Sequence, residues 1–202
     1  DDLVLILYRV VGQGTTIMCD AGEGGSLSVL GPLGSGFEMP HKGETSVLVA
    51  GGMGIAPLIF LASIMESGSF IFLSGFGSGE EIVATDEIGF SGIDLSISTD
   101  DGSAGHRGLV TELMKNRLTG FDGKTNPSVF ACGPLPMLKE VAAITLDGAL
   151  PCQVSLEATM ACGLGACQGC AIRGSLEQNT AYYHVCQDGP VFDVNALDWG
   201  AL

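Results

Sequence analysis

One segment limits the possible folds more than any other, the run from Met160 to Cys186. Cys162, Cys167 and Cys170 follow a C-x4-C-x2-C spacing, and fifteen residues separate the third from Cys186. This spacing is characteristic of loops that hold a [2Fe–2S] cluster through four thiolates. A cluster of that kind carries net negative charge, so its loop must curl inward and aim backbone N–H groups at sulfur. Gly163, Gly165 and Gly169 lack Cβ atoms and permit that curvature, and Ala161 and Ala166 add little bulk. The alternatives are a structural zinc site, a disulfide or buried free thiols. Zinc sites ordinarily pair two short Cys knuckles or mix Cys with His, and only one three-Cys loop is present here.

Charge narrows the function classes. The chain of 202 residues carries a net charge of −15 with only eight Lys plus Arg. So few cations cannot neutralise a nucleic-acid backbone or dock on an anionic membrane. The length allows one large domain or two small ones. The 31 glycines, without a collagen period, indicate many tight turns and close backbone approaches, as in cofactor-binding α/β proteins. No signal-peptide pattern and no apolar run of membrane-spanning length is visible. Free thiols beside a cluster fit a reducing compartment, so the cytoplasm is the expected location.

Read in order, residues 3–11 are almost wholly apolar and β-prone and predict a buried strand. Gly12 to Thr15 reads as a turn, with exposed N–H groups and a hydroxyl suited to a phosphate or simply to a hairpin. Residues 26–30 alternate as a half-buried strand. Together, residues 1–40 read as part of a small antiparallel barrel, too short to close. Asp1 and Asp2 lead straight into a strand with no initiating Met, so an N-terminally shortened domain is expected.

Residues 41–150 then alternate strands with helices. The apolar run 46–50 is typical of a central parallel strand. It feeds Gly51-Gly52-Met53-Gly54-Ile55-Ala56-Pro57 and an apolar helix, an arrangement that offers helix N–H groups to a phosphate. Further strands are predicted at 70–74, 93–98, 128–131 and 153–157. Helices are predicted at 79–85, along the Leu109, Val110, Leu113, Met114, Leu118 stripe, and along the Leu135, Leu138, Val141, Ala142 stripe. The pattern is a doubly wound parallel sheet with ligands at the carboxyl ends of its strands. Residues 151–202 would form a small C-terminal [2Fe–2S] module.

Three strand-end loops converge on that rim: Gly51–Pro57, Ser74-Gly75-Phe76 and Cys132-Gly133-Pro134. A dinucleotide there would set its pyrophosphate on Gly51, Gly52 and Gly54, with its adenosine toward Ser74–Glu81. Glu80 and Glu81 stand there with no Arg or Lys between residues 70 and 88, which favours NAD over NADP. The same two Glu also suit a solvated helix start. Cys19 and Cys152 read as structural thiols, Cys132 as a small core residue, and His106 as a solvated loop residue without a nearby acid.

Taken together, these motifs make the chain resemble the iron–sulfur electron-transfer subunits of class B dihydroorotate dehydrogenase, a branch of the ferredoxin–NADP reductase superfamily. The resemblance runs through Leu7 to Thr15, Gly31 to Phe37, Gly51 to Pro57, Cys132-Gly133-Pro134, Met160 to Cys170 and Cys186 to Phe192. It implies a ferredoxin-reductase-like α/β fold in which a β-barrel holds FAD, the doubly wound domain binds NAD, and Cys162, Cys167, Cys170 and Cys186 hold the cluster. FAD contacts implied by position are Leu7, Tyr8, Arg9, Gly14 and Thr15; dinucleotide contacts include Pro57, Cys132, Gly133 and Pro134. The family's Arg-Pro-x-Ser flavin motif is absent from the chain. The implied activity passes electrons between NAD, FAD, the cluster and an FMN-containing dihydroorotate dehydrogenase catalytic subunit, in a heterotetramer serving pyrimidine biosynthesis. No side chain need act as acid or base. The same motifs suit a related NAD(P)H reductase subunit serving a hydrogenase, ferredoxin or other oxidoreductase, and a zinc-binding interaction module is a third reading.

Overall fold

The structure is a computed structural model that describes residues 3–41, 43–66, 68–85, 93–121, 126–176 and 180–202. In chain order the elements are α1 (Gln13–Asp20), β1 (Ser46–Gly51), α2 (Ile55–Ile64), β2 (Phe70–Phe76), β3 (Leu95–Thr99), β4 (His106–Arg107) and α3 (Val110–Leu118). They continue with β5 (Ser128–Cys132), α4 (Leu135–Asp147), β6 (Cys152–Ser155), β7 (Ala171–Arg173), β8 (Tyr182–His184) and β9 (Val191–Asp193).

Among the described residues, seven strands form one sheet in the order β4-β3-β2-β1-β5-β6-β9. All neighbours are parallel except β6 and β9. The order runs outward in both directions from β1, so the crevice lies beyond the carboxyl ends of β1 and its neighbours. Every residue of β1 is buried, because helices cover both faces. Val47, Val49, Val129 and Val154 face one core with Met114, Leu138 and Val141 of α3 and α4. Leu48, Ala50, Phe72 and Phe130 face the other with Ile55, Leu58 and Ile59 of α2. A two-residue period along the strands thus meets two different helix layers.

The expected helix stripes hold except at their first residues. Leu109 is 55% exposed, because it is the N-cap of α3 and lies outside the helical period. Leu135 is likewise exposed at the first turn of α4. The helix expected at 79–85 shrinks to one turn of 3-10 helix at Gly79–Glu81. Part of that span and of the strand expected at 93–98 adjoins residues 86–92, which lie outside the described residues.

The N-terminal expectations are corrected. Residues 3–11 and 26–30 form no strand, and residues 13–20 form α1 where a turn was expected. Leu3, Val4, Val11, Val29 and Leu30 are all more than half exposed. An apolar run becomes a strand only when a neighbouring chain accepts its hydrogen bonds, and no described residue offers these two runs a ladder. The segment is pinned at a few points. Ser35 bridges Pro190, the Glu38 N–H donates to Gln153 Oε1 at 2.9 Å, and Phe37 packs edge-on against Phe130. No described helix is long and apolar enough to cross a membrane.

Candidate functional site

The chain carries two candidate sites. The first is a cavity of about 620 Å³ at the carboxyl ends of the strands. The turn after β1 and the turn after β5 meet there backbone to backbone. A Cβ on Gly54 would overlap the carbonyl of Cys132, and one on Gly51 would lie 2.6 Å from Met137 Sδ and 2.8 Å from Pro134 Cδ. Gly52 has φ +51°, a left-handed conformation that glycine adopts without a steric cost. Gly75 closes the other side, where a Cβ would lie 2.7 Å from Val110 Cβ in α3. Glycine is therefore needed at these turns to let the chain segments approach one another.

Of the residues named from sequence, Arg9, Gly51, Gly52, Gly54, Gly133 and Pro134 line this cavity. Pro57 sits inside α2 and does not line it. Cys132 is 5% exposed in the opposite core, and burial pushes its thiol up to about 11, so it is a neutral packing residue there. Cys152 is also buried, and its thiol is pushed up to about 12 by burial. Cys19, expected to be structural, is exposed on α1, which buries no residue.

Leu7 packs on the α2 side of the sheet, and Tyr8 is 37% exposed. Gly14 and Thr15 fall in the first turn of α1. The Thr15 hydroxyl accepts from the Val11 and Gly12 N–H groups and donates to the Gly12 carbonyl, so it closes its own turn. His106 belongs to β4, and its Nε2 lies 3.9 Å from Glu112 Oε2, an acid that sequence reading did not bring near.

Of the two acids expected at the adenosine end, Glu81 lines the cavity and Glu80 does not, and Arg9 Nη2 reaches Glu81 Oε2 at 3.3 Å. Other lining residues were missed. Asp100 directly follows β3, and Glu157 comes two residues after β6. Both obey the rule that ligands gather at strand carboxyl ends, so that rule applied to every strand would have found them. Met137 and Glu140 of α4 gave no sequence signal beyond their helix.

The second site is the four-thiol loop. β7 and β8 pair antiparallel with Ala171 opposite His184, and the Val185 N–H donates to the Cys170 carbonyl. This hairpin carries Cys186 back to Cys170, leaving their sulfurs 3.3 Å apart. Cys162 and Cys167 form a neighbouring pair, with the Cys167 N–H 3.4 Å from Cys162 Sγ. The N–H groups of Leu164, Gly165 and Gly169 point at the sulfurs of Cys162, Cys186 and Cys167 at 3.2–3.4 Å. Gly163 and Gly165 have φ of +70° and +73°, which turns these N–H groups inward. The N–H of Cys167, then that of Leu164, lowers the Cys162 thiol to about 6. The N–H of Cys186 and then its thiol lower Cys170, while the Cys170 thiol and then burial raise Cys186. Among the described residues no three Cys, His, Asp or Glu side chains converge on one ion-sized point. Two thiol pairs ringed by N–H donors fit a two-iron cluster, which takes two thiolates on each iron.

Residues 157–198 match the family described as the iron–sulfur cluster binding domain of dihydroorotate dehydrogenase B. The chain is 38% identical to the dihydroorotate dehydrogenase B (NAD(+)) electron transfer subunit of Caldanaerobacter subterraneus subsp. tengcongensis, covering 95% of this chain and 74% of that protein. It is 39% identical to the subunit of the same name from Fusobacterium nucleatum, covering 95% and 73%. Among solved structures, one from work on flavin-based electron bifurcation by an NADH-dependent reduced ferredoxin–NADP oxidoreductase superposes with a TM-score of 0.76. It is 29% identical, over 96% of this chain and 68% of that one.

Proposed function

The chain belongs to the family of dihydroorotate dehydrogenase B electron transfer subunits, and on that premise we propose that it passes electrons between NAD and a partner subunit's FMN through FAD and a [2Fe–2S] cluster. The partner is a dihydroorotate dehydrogenase catalytic subunit, and the pair serves pyrimidine biosynthesis in the cytoplasm. The observation that carries this reading is the continuity of the two sites. β6 pairs with β5 at Cys132–Ser155, Glu157 lines the dinucleotide cavity, and Cys162 opens the cluster loop five residues later.

When bound, the cofactors supply the conversion between a two-electron hydride and single-electron transfers. The chain's own residues position them. Gly51, Gly52 and Gly54 bring backbone N–H groups to a pyrophosphate, as a helix N-terminus does. Gly133 and Pro134 close the opposite wall and would exclude water from a nicotinamide. Leu7 and Tyr8 offer apolar and aromatic surface to a flavin, with Arg9 between flavin and dinucleotide and the backbone of Gly14 and Thr15 toward a phosphate. Cys162, Cys167, Cys170 and Cys186 hold the cluster, and their N–H donors stabilise the charge it carries. In this reading residues 1–40 serve the flavin, 41–150 the dinucleotide and 151–202 the cluster.

A visible spectrum before and after NADH tests the proposal. Flavin and cluster bands that both bleach on NADH addition support it, together with iron and acid-labile sulfide in equal amounts. Stoichiometric zinc without sulfide would end it. The match to the NADH-dependent reduced ferredoxin–NADP oxidoreductase structure favours one second reading, an equivalent subunit serving a different oxidoreductase. Co-purification with a catalytic subunit active on dihydroorotate separates the two.

A further inference from the structure

Among the described residues lining the cavity, Arg9 is the sole cation, against Glu81, Asp100, Glu140 and Glu157. Lys115 outside the cavity already holds Glu140 at 2.6 Å. Arg9 is not free either: its guanidinium is 3.3 Å from Glu81, across 72 residues of sequence. Both side chains are about half exposed, at 56% and 42%, so the pair is reachable by a ligand.

The turn that carries the carboxylate is held in place from two directions. Glu81 ends the short turn after β2, and its N–H donates to the Ser78 carbonyl at 3.1 Å. The turn is tied to the loop after β3, because the Gly79 N–H donates to Ser103 Oγ at 2.7 Å and Ser103 in turn donates to Asp101. Gly77 keeps the intervening space open, since a Cβ there would lie 3.2 Å from Glu81 Oε1. Asp100 projects from the same braced loop into the cavity. The β2–β3 half of the rim therefore carries two carboxylates on a braced turn and loop and one guanidinium that is already engaged.

We propose that the Arg9–Glu81 ion pair sets the dinucleotide preference of this cavity, by withholding from a 2′-phosphate the one guanidinium that the described residues bring to its lining. The inference rests on reading the cavity as the dinucleotide site with adenosine toward β2 and β3. An arginine fork matches a phosphate through two parallel hydrogen bonds, so an unpaired Arg9 would favour NADP. Engaged by Glu81 and flanked by Asp100, it leaves a 2′-phosphate facing uncompensated like charge. NAD, whose ribose presents a neutral hydroxyl, meets no such penalty and can donate to the carboxylates.

The test is calorimetric titration of NAD+ and NADP+ into the full, cluster-containing chain at low ionic strength. Wild type binds NADP+ at least tenfold more weakly than NAD+. Glu81→Gln narrows that gap at least fivefold, chiefly by gaining affinity for NADP+. Adding Arg9→Gln to Glu81→Gln restores the gap, because the gain runs through the guanidinium. An unchanged cluster spectrum and urea-unfolding midpoint in each variant report an intact fold. An unchanged ratio in Glu81→Gln, or a double variant that keeps the gain, overturns the proposal while leaving the dinucleotide site standing. Failure of wild type to bind NAD+ at all overturns the site and the proposal together.

Discussion

Alanine at Gly54 and alanine at Gly52 separate two physical costs that occur two residues apart in one turn. At Gly54 the backbone is ordinary, with φ −63° and ψ −6°, so alanine meets no torsional penalty. Its Cβ would instead overlap the Cys132 carbonyl and sit 2.7 Å from the Gly133 nitrogen. Both neighbours are backbone atoms at the end of β5, which is locked to β1 through Ala50–Cys132 pairing. Overpacking relieved by side chains costs about 1–3 kcal/mol, and relief by moving a central strand lies at or above the top of that range. At Gly52 the position is reversed. No atom lies within 4 Å of the new Cβ, but φ is +51°, so the cost is the left-handed conformation, about 1–2 kcal/mol. Chemical denaturation should therefore rank Gly54→Ala as the more destabilised variant, by at least about 1 kcal/mol over Gly52→Ala. Gly54→Ala should keep its cluster absorbance and its reduction by dithionite, yet lose bleaching by NADH, because the cavity wall opens while the four-thiol loop is untouched. Equal stability of the two variants, or NADH bleaching that survives in Gly54→Ala, would refute this account of the turn.

Other expectations are shorter. Replacing Cys170 with Ser should bleach or destabilise the cluster, and an unchanged visible spectrum would remove Cys170 from the ligand set. Burial holds the Cys152 thiol at about 12 and Cys132 at about 11, above the ordinary value of 9.0. The fold keeps protons that the unfolded chain releases, so stability is full below about pH 9 and falls as pH rises toward 11–12, by up to about 1.4 kcal/mol per pH unit for each thiol. Urea unfolding at pH 8.5 and 10.5 should show a shallower pH slope in Cys152→Ala than in wild type; identical slopes would contradict the assignment. Phe192 is 6% exposed, packs at a tilt against Tyr183 with ring centroids 5.4 Å apart, and anchors β9 to β6. Its replacement by Ala should cost about 3–5 kcal/mol and speed cluster loss, measured as decay of visible absorbance in mild denaturant, because the same packing seats the turn that carries Cys186.

The parallel sheet was legible because its strands are buried on both faces. Ser46–Ala50 is a continuous apolar run for that reason, and the glycine turn that follows it announces a close approach. The cluster cysteines were legible because the spacing itself carries the chemistry. Illegible were features defined only by tertiary partners. β7, β8 and β9 are three residues each, too short for a period to show, and exist through pairing with one another or with β6. The run 3–11 failed in the opposite sense, because its composition is that of a strand while no described neighbour completes a ladder. Arg9 was read as a cofactor partner, but its pairing with Glu81 joins residues 72 positions apart, and local sequence cannot report that. Leu109 was misplaced because a helical stripe shows where apolar residues repeat, not where capping ends the helix.

The arrangement of β6 explains why the cavity and the thiol loop behave as one device. β6 is hydrogen-bonded on one side to β5, whose end supplies the cavity wall, and on the other to β9, which follows the Cys186 turn. The Leu156 N–H donates to the Pro190 carbonyl at 2.8 Å, continuing that link beyond the strand. Cys170, Val185, Cys186 and Phe192 belong to the same buried core as Val129, Ala131 and Leu138. A loop attached only by flexible linkers would let the separation between cluster and cavity fluctuate, and electron transfer depends on that separation being short and constant. Here strand pairing and a shared core tie the cluster loop to the strand whose end supplies Gly133 and Pro134.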